Sequence, residues 1–211
     1  MQATTISIAD LETRAARGWQ APQEEWLGGW LLRAADGFTG RANSAPLRRG
    51  AAVVMTAAPK VAASCAGPAA PVAAAVAVAV AVAAAPDEDW LAMYHYRGDA
   101  LPPVGRRLLM SAPWQAFASV REEGQTVAIG RVAGDAGWAG LTAIETHPGH
   151  QRRGLATAVS ATLAALAADR GATGLYVQVE EENTGARALY GGIGFCDHHR
   201  YHYRVGPDAS S

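Results

Sequence analysis

The sequence predicts an α/β chain, and three stretches carry that expectation. Gly140 to Thr146 reads as a strand. Leu155 to Arg170 reads as a helix, because Leu155, Ala158, Val159, Thr162, Leu163, Leu166 and Ala167 recur at helical spacing and Gly171 is placed to end it. A second strand, Gly174 to Val179, follows, and a short helix through Ala186, Leu189 and Tyr190 then leads to Gly191-Gly192-Ile193-Gly194-Phe195. Strand and helix meet at a glycine turn.

That turn is Gln151-Arg152-Arg153-Gly154-Leu155-Ala156. The first amides of a helix lack intrahelical partners and carry the positive end of its dipole, so an anion placed there meets several aimed N–H groups. Gly154 lets the backbone approach closely, Ala156 is the next smallest choice, and Arg152 and Arg153 add charge around the rim. These are the features of a pyrophosphate cradle, although the hexapeptide alone is equally a basic, solvated turn. A Walker-type loop needs Gly-x-x-x-x-Gly-Lys-Ser/Thr, whereas the only lysine in the chain is Lys60. A dinucleotide fingerprint is absent as well.

Upstream, Gly29 to Arg33 and Phe38 to Ser44 flank Ala34-Ala35-Asp36-Gly37, whose Asp-Gly is a hairpin signal. Between Pro71 and Pro86 the chain holds only alanine and valine. The alternating valines fit a strand and the alanines fit a helix; a low-complexity segment packed as a helix is the leading expectation, a buried strand the alternative. The segment is shorter than the roughly 20 residues of a membrane span, so no membrane partner is expected. The tail, Asp197 to Arg204, alternates ring and polar residues like a closing strand.

Composition fits one soluble domain with a sizeable core: 211 residues, 50% hydrophobic, formal net charge −1. Near-neutral charge argues against a nucleic-acid partner. Cys65 and Cys196 form neither a disulfide framework nor a metal spacing, which points to a reducing cytoplasm, and Met1 to Leu11 does not read as a signal peptide.

Gln-x-x-Gly-x-Ala, followed about thirty residues later by Asn-x-x-x-Ala-x-x-x-Tyr-x-x-x-Gly-Phe, resembles the GNAT superfamily of acyl-CoA-dependent N-acetyltransferases, over roughly Ala116 to Arg204. The resemblance implies an α/β (α+β) GNAT fold: a mixed central β-sheet flanked by helices, with acetyl-CoA held at a splayed strand pair. It implies that Ile144, Glu145 and Thr146 face the pantetheine and thioester. Arg152, Arg153, Gly154, Leu155, Ala156 and Thr157 would face the pyrophosphate, Asn183 would contact the cofactor, and Tyr190 would protonate the departing thiolate. Trp-Leu-Leu-Arg, Gly-Phe-Thr-Gly-Arg-Ala-Asn-Ser, Gln-Ala-Phe-Ala-Ser-Val, Val-Gln-Val-Glu-Glu-Glu-Asn and His-His-Arg-Tyr-His-Tyr-Arg resemble an actinobacterial branch described as N-acetylglutamate synthases. In that branch a helix-bearing stretch follows Arg-Ala-Asn-Ser, whereas here only Ala45 to Ala52 intervenes. A trimmed working enzyme and a copy with impaired acceptor binding both fit that shortening.

The implied division is residues 1–60 on the acceptor side, 61–86 of low complexity, 87–206 as catalytic core and 207–211 as tail. An alkyl ammonium of pKa about 10.4 is roughly 99.9% protonated at pH 7 and cannot attack a thioester until it loses a proton. Glu145 is the nearest carboxylate for that base role, the alternative being a solvated or salt-bridged strand carboxylate. Gln178 stands where some GNAT enzymes carry a glutamate base, and Glu180 is a weaker candidate on the same strand face. A backbone N–H near Glu145 or Thr146 would bind the oxyanion. Tyr190 reads as the acid or as a core tyrosine. Arg33, Arg41 and Arg200 are candidates for an acceptor carboxylate. His198, His199 and His202 read as an aromatic strand rather than metal ligands, so no metal is expected; lining the acceptor cleft is their second role. The expected activity is acetyl transfer to a small-molecule amine, L-glutamate favoured over other amino acids and protein N-termini. A non-catalytic acyl-CoA-binding module is the rival, and a homodimer is compatible with either.

Overall fold

The computed structural model describes residues 6–27, 30–35, 52–57, 78–95 and 101–201. It opens with α1 (Ile8–Arg17), β1 (Gln23–Leu27), β2 (Trp30–Ala34), β3 (Ala52–Ala57) and β4 (Val80–Ala83). Two short helices follow, α2 (Glu88–Met93) and α3 (Pro103–Leu109), then the long strands β5 (Trp114–Glu122), β6 (Gln125–Asp135) and β7 (Trp138–Thr146). A 3-10 turn (Pro148–His150) leads to α4 (Leu155–Asp169), β8 (Gly174–Glu180), α5 (Thr184–Gly192) and β9 (Cys196–Tyr201).

Among the described residues seven strands form one sheet in the order β4-β5-β6-β7-β8-β3-β9, and β1 pairs with β2 in a separate ribbon. The large sheet is mixed, antiparallel throughout except where β7 meets β8 in parallel. It crosses the divisions drawn from sequence: β3, from the first sixty residues, lies between β8 and β9, and β4 pairs with β5. Two-residue turns join β5 to β6 and β6 to β7. Both put consecutive residues at positive φ, Glu123 (51°) with Gly124 (81°) and Ala136 (47°) with Gly137 (83°), the twist that suits tight hairpins.

Local chemistry sets the helix ends. Ser7 caps α1 by accepting from the Asp10 N–H at 3.1 Å, and Asp87 caps α2 by accepting from the Trp90 N–H at 2.8 Å. At the far end of α4, Gly171 takes φ 83°. Its N–H donates to Ala168 and the Ala172 N–H to Ala167, both at 2.9 Å, the paired bonds of a glycine C-terminal stop. The helix therefore ends where the sequence placed its terminator.

The two sheet faces carry different helices. On one, Leu155, Val159, Leu163 and Ala167 of α4 pack on Ala116, Ala118, Ala128 and Val132. On the other, Trp90 and Tyr94 join Val104, Leu108, Phe117 and Ile129. Trp90 fixes α2 there: its Nε1 donates to the Ala118 carbonyl at 3.0 Å and its ring meets Phe117 edge-on at 5.2 Å. Arg131, fully buried, donates from Nε to the Leu109 carbonyl (2.8 Å) and from Nη2 to the Gly18 carbonyl (3.0 Å), and its guanidinium lies 4.7 Å from the Trp19 ring centroid. One charged side chain thus joins the ends of α1 and α3 to β6.

One expectation changes. In the alanine-valine run, Val80–Ala83 forms an edge strand on β5 rather than a helix, and its residues 81–83 are exposed rather than buried; residues 72–77 lie outside the described residues. The hairpin in the described N-terminal region joins β1 to β2, with Leu27 opposite Trp30, whereas the Asp36-Gly37 signal and its second arm lie outside the described residues. The histidine tail serves the fold: His198 Nε2 lies 3.0 Å from the Ile6 carbonyl, His199 Nε2 lies 2.8 Å from Glu12 Oε1, and the two Nδ1 atoms are 2.8 Å apart. Both outer nitrogens face acceptors and therefore donate. His202 lies outside the described residues. Among the described residues no helix is long and apolar enough to cross a membrane.

Candidate functional site

The site begins where the sheet comes apart. β7 runs beside β6 along most of its length but beside β8 only at Trp138, Ala139 and Gly140, opposite Gly174, Leu175 and Tyr176. Beyond that point the parallel strands separate. The β8-facing backbone of Leu141 to Thr146 has no strand partner among the described residues, and backbone polar groups in a sheet interior require partners. The gap therefore leaves a row of backbone donors and acceptors on one edge of β7.

A bulge redirects β7 in the same stretch. Ile129 pairs with Glu145 and Arg131 with Thr142, so Gly130 alone faces both Ala143 and Ile144. Ala143 adopts φ 53°, a left-handed conformation uncommon for alanine. The Ile144 side chain turns toward α4, packing over Gly130; a Cβ on Gly130 would stand 2.5 Å from Val159 Cγ1 and 2.7 Å from Ile144 Cδ1. Glycine at 130 lets helix and bulge close on the sheet, with the Ile144 side chain turned into the packing.

Glu145 emerges on the other face, beside the residues that follow α2. Its side chain is 29% exposed, and its Oε2 accepts from the His95 N–H at 3.3 Å with His95 Nδ1 3.9 Å away. Burial raises the carboxyl above its ordinary range, and the His95 amide and ring pull it partly back. Next along β7, Thr146 has a buried Oγ1 without a hydrogen-bond partner among the described residues, while its carbonyl lies 3.5 Å from Gln151 Nε2.

At the entry to α4, Gly154 is the N-cap, with φ 80° and no side-chain cap. The Ala158 N–H donates to the Gly154 carbonyl at 2.9 Å, so the amides of Leu155, Ala156 and Thr157 have no intrahelical acceptor. A Cβ at Gly154 would meet nothing within 4 Å, so its φ, not crowding by the protein, demands glycine. Arg152 also takes positive φ, 63°, and makes no ion pair with any described residue. Arg153 is held instead: its two Nη atoms meet the two Glu122 carboxylate oxygens at 2.9 Å each, and His150 Nε2 stands 3.6 Å from the same carboxylate. That pair braces the turn against β5 and leaves Arg152 as the freer cation.

Beyond β8, Asn183 caps α5, its Oδ1 accepting from the Ala186 N–H at 3.0 Å, and its exposed amide group remains available to a ligand. Tyr190 is 6% exposed, its ring edge-on to Phe195 at 5.4 Å. Among the candidate acceptor arginines, Arg33 has a side chain that is 4% exposed and donates to Glu24 at 3.1 Å and to the carbonyls of Ala16 and Trp19, so it holds β2 to the end of α1. Arg200 bridges to Glu181 at 2.9 Å, and Arg41 lies outside the described residues. His198 and His199 face the segment before α1 and α1 itself. Among the described residues no group of three metal-ligating side chains gathers. His95, Glu122 and the Ala143 bulge were not singled out from the sequence. His95 approaches Glu145 across fifty residues of chain, a proximity that no local pattern encodes.

The profile of the family described as "Probable histone acetyltransferase Rv0428c C-terminal" matches residues 5–63 and 62–204. The chain is similar to the "Uncharacterized N-acetyltransferase YobR" of Bacillus subtilis, with 33% identity over 93 residues, 44% of this chain and 38% of that protein. It thus spans well under two thirds of that relative's length. Among solved structures it is similar to a GNAT-family protein from Novosphingobium aromaticivorans, with TM-score 0.50 and 20% identity over 72% of this chain and 61% of that one. It is also similar to AAC(6')-Iy in complex with the bisubstrate analogue CoA-S-monomethyl-acetylneamine, with TM-score 0.52 and 14% identity over 61% of this chain and 99% of that one. At such identities these structural likenesses concern the fold alone.

Proposed function

The chain belongs to the Rv0428c C-terminal family and has a GNAT-like α/β fold, and from that premise we propose that it is an N-acetyltransferase moving an acetyl group from acetyl-CoA to a primary amine. One observation carries the proposal: the parting of β7 from β8 beside the uncapped start of α4. The open backbone of Ile144 to Thr146 suits a pantetheine arm. The amides of Leu155, Ala156 and Thr157, with Arg152 at the rim and Arg153 bracing it, suit the pyrophosphate. Asn183 retains an amide for the same cosubstrate.

In this reading Glu145 accepts the proton that the amine must lose, and a carboxyl raised by burial is better matched to that task than a solvated one. The amine lone pair then attacks the thioester carbonyl carbon, the C–S bond breaks, and the sulfur leaves with its electron pair. Tyr190 is the proposed donor to that thiolate, carried on α5 next to β8. The bulge at Ala143 is the proposed source of a free N–H for the oxyanion.

The acceptor remains open to experiment. L-Glutamate rests on the sequence resemblance, with Arg33 engaged by Glu24 and Arg200 by Glu181. The family's description names a histone acetyltransferase, so a lysine-containing peptide belongs beside glutamate in the assay. Free CoA thiol is followed with acetyl-CoA and a panel of amino acids, L-glutamate and peptide amines. Amine-dependent release is expected with at least one acceptor class. Tight acetyl-CoA binding without release from any amine would overturn catalysis in favour of a binding module.

A further inference from the structure

We propose that His95 is the proton-relay partner of Glu145, acting through that carboxylate to carry the amine's proton to solvent; this deepens the acetyl-transfer reading and rests on it. The geometry is built from both ends. Asp87 caps α2, Trp90 anchors it through the Ala118 carbonyl, and Tyr94 is buried against Trp90, with ring centroids 5.4 Å apart. The residue after Tyr94 is thereby delivered to the bulged segment of β7. The His95 N–H holds Glu145 Oε2 at 3.3 Å, and the Nδ1 of the same residue stands 3.9 Å from the same oxygen.

The two side chains differ in a way that gives the relay a direction. Glu145 is 29% exposed and His95 59%, so the carboxyl lies inside and the imidazole reaches water. At 3.9 Å the contact is an ion-pair separation, and rotation of the exposed ring or one bridging water closes it. Among the described residues, Ile129 faces Glu145 from β6 and is apolar, and Arg131 two residues on donates to Leu109 and Gly18. Burial raises the Glu145 carboxyl, while the His95 ring favours its charged form.

Proton balance requires such an exit. An ammonium and acetyl-CoA give an amide, CoA thiol and one proton released to the medium. Tyr190 gives its proton to the thiolate and is reprotonated by one of the two amine protons. The other leaves the amine for a Glu145 oxygen and passes to His95 Nδ1 while Nε2–H is given to water, and exchange of the exposed ring with solvent moves its remaining proton from Nδ1 back to Nε2, restoring the starting tautomer.

His95→Ala removes the ring but keeps the backbone N–H that positions Glu145, which makes it a clean test. With the acceptor that supports turnover, the variant should lose about 10- to 100-fold in kcat. The acetyl-CoA Kd and the amine KM should be unchanged, the acid limb of kcat/KM should move to higher pH, and added imidazole should restore rate. His95→Gln should not recover it. Unchanged kcat and pH profile in His95→Ala, with Glu145→Gln inactive, would overturn the relay alone. Absence of turnover in the parent with every amine would overturn the acetyl-transfer reading and the relay together.

Discussion

With the proposed base role, Glu145 would couple function to stability at a single residue. Burial raises its carboxyl in the folded chain, so between the unfolded value of about 4.3 and the higher folded value the native state keeps a proton that the unfolded state has released. This group's stabilising contribution is full below the unfolded value and is lost as pH rises through the folded one. Glu145→Gln, neutral throughout, escapes that loss. Its urea midpoint relative to the parent should therefore rise between pH 4 and pH 8, while turnover falls by about 100-fold or more; a variant no more stable at pH 8 than at pH 4, relative to the parent, would contradict the burial argument. Gly154 presents the opposite case, a residue with room around it and a backbone that only glycine adopts easily. Forcing a Cβ into that left-handed conformation costs about 1 to 2 kcal/mol. Gly154→Ala should weaken acetyl-CoA binding roughly 5- to 30-fold by calorimetry, with its largest effect on pyrophosphate-containing fragments.

At the scale of elements, α2 is six residues long and cannot hold itself together, so its place depends on Trp90. Trp90→Ala should cost about 3 to 5 kcal/mol and lower the rate at ordinary temperature, because α2 also delivers His95. Trp90→Phe, which keeps most of the ring but loses the bond to Ala118, should cost about 1 kcal/mol; equal losses in the two variants would argue against the packing account. The same scale explains what the sequence discloses. The glycine turn, α4 and its stop were legible because Leu155 to Ala167 repeat on one face and Gly154 and Gly171 sit at positions that need positive φ. The alanine-valine run was not, since every residue in it is compatible with helix or strand and only pairing with β5 decides. The bulge was hidden because alanine has no preference for φ 53°; pairing with β6 on one side and separation from β8 on the other impose it. Arg33 read as a substrate ligand for a related reason: residue type reports charge, and only the fold reports which way the guanidinium points.

Across the whole molecule, the first described helix and the last described strand are tied by a chain of side chains rather than by a backbone ladder. His199 lies on β9 opposite Val54 of β3, and the Val54 side chain packs with Leu11, Ala15, Trp138 and Tyr176, so α1 covers this end of the sheet. Across that contact His199 reaches Glu12, while His198 reaches the carbonyl of Ile6 just before the helix. The His199 side chain is only 6% exposed, so its loss leaves inner partners of the network without a donor. His199→Ala should therefore destabilise the fold by about 1 to 3 kcal/mol, seen as a lower denaturant midpoint with an unchanged slope. Amide exchange in Ile8–Arg17 should accelerate more than exchange in α4, because the tie holds α1 while α4 has its own core. A double-mutant cycle with Glu12→Gln should return a coupling above 0.5 kcal/mol, the size expected of residues sharing one network. Additive losses, or faster exchange in α4 to the same degree as in α1, would mean that the histidines fill space at the sheet edge without joining the two ends of the chain.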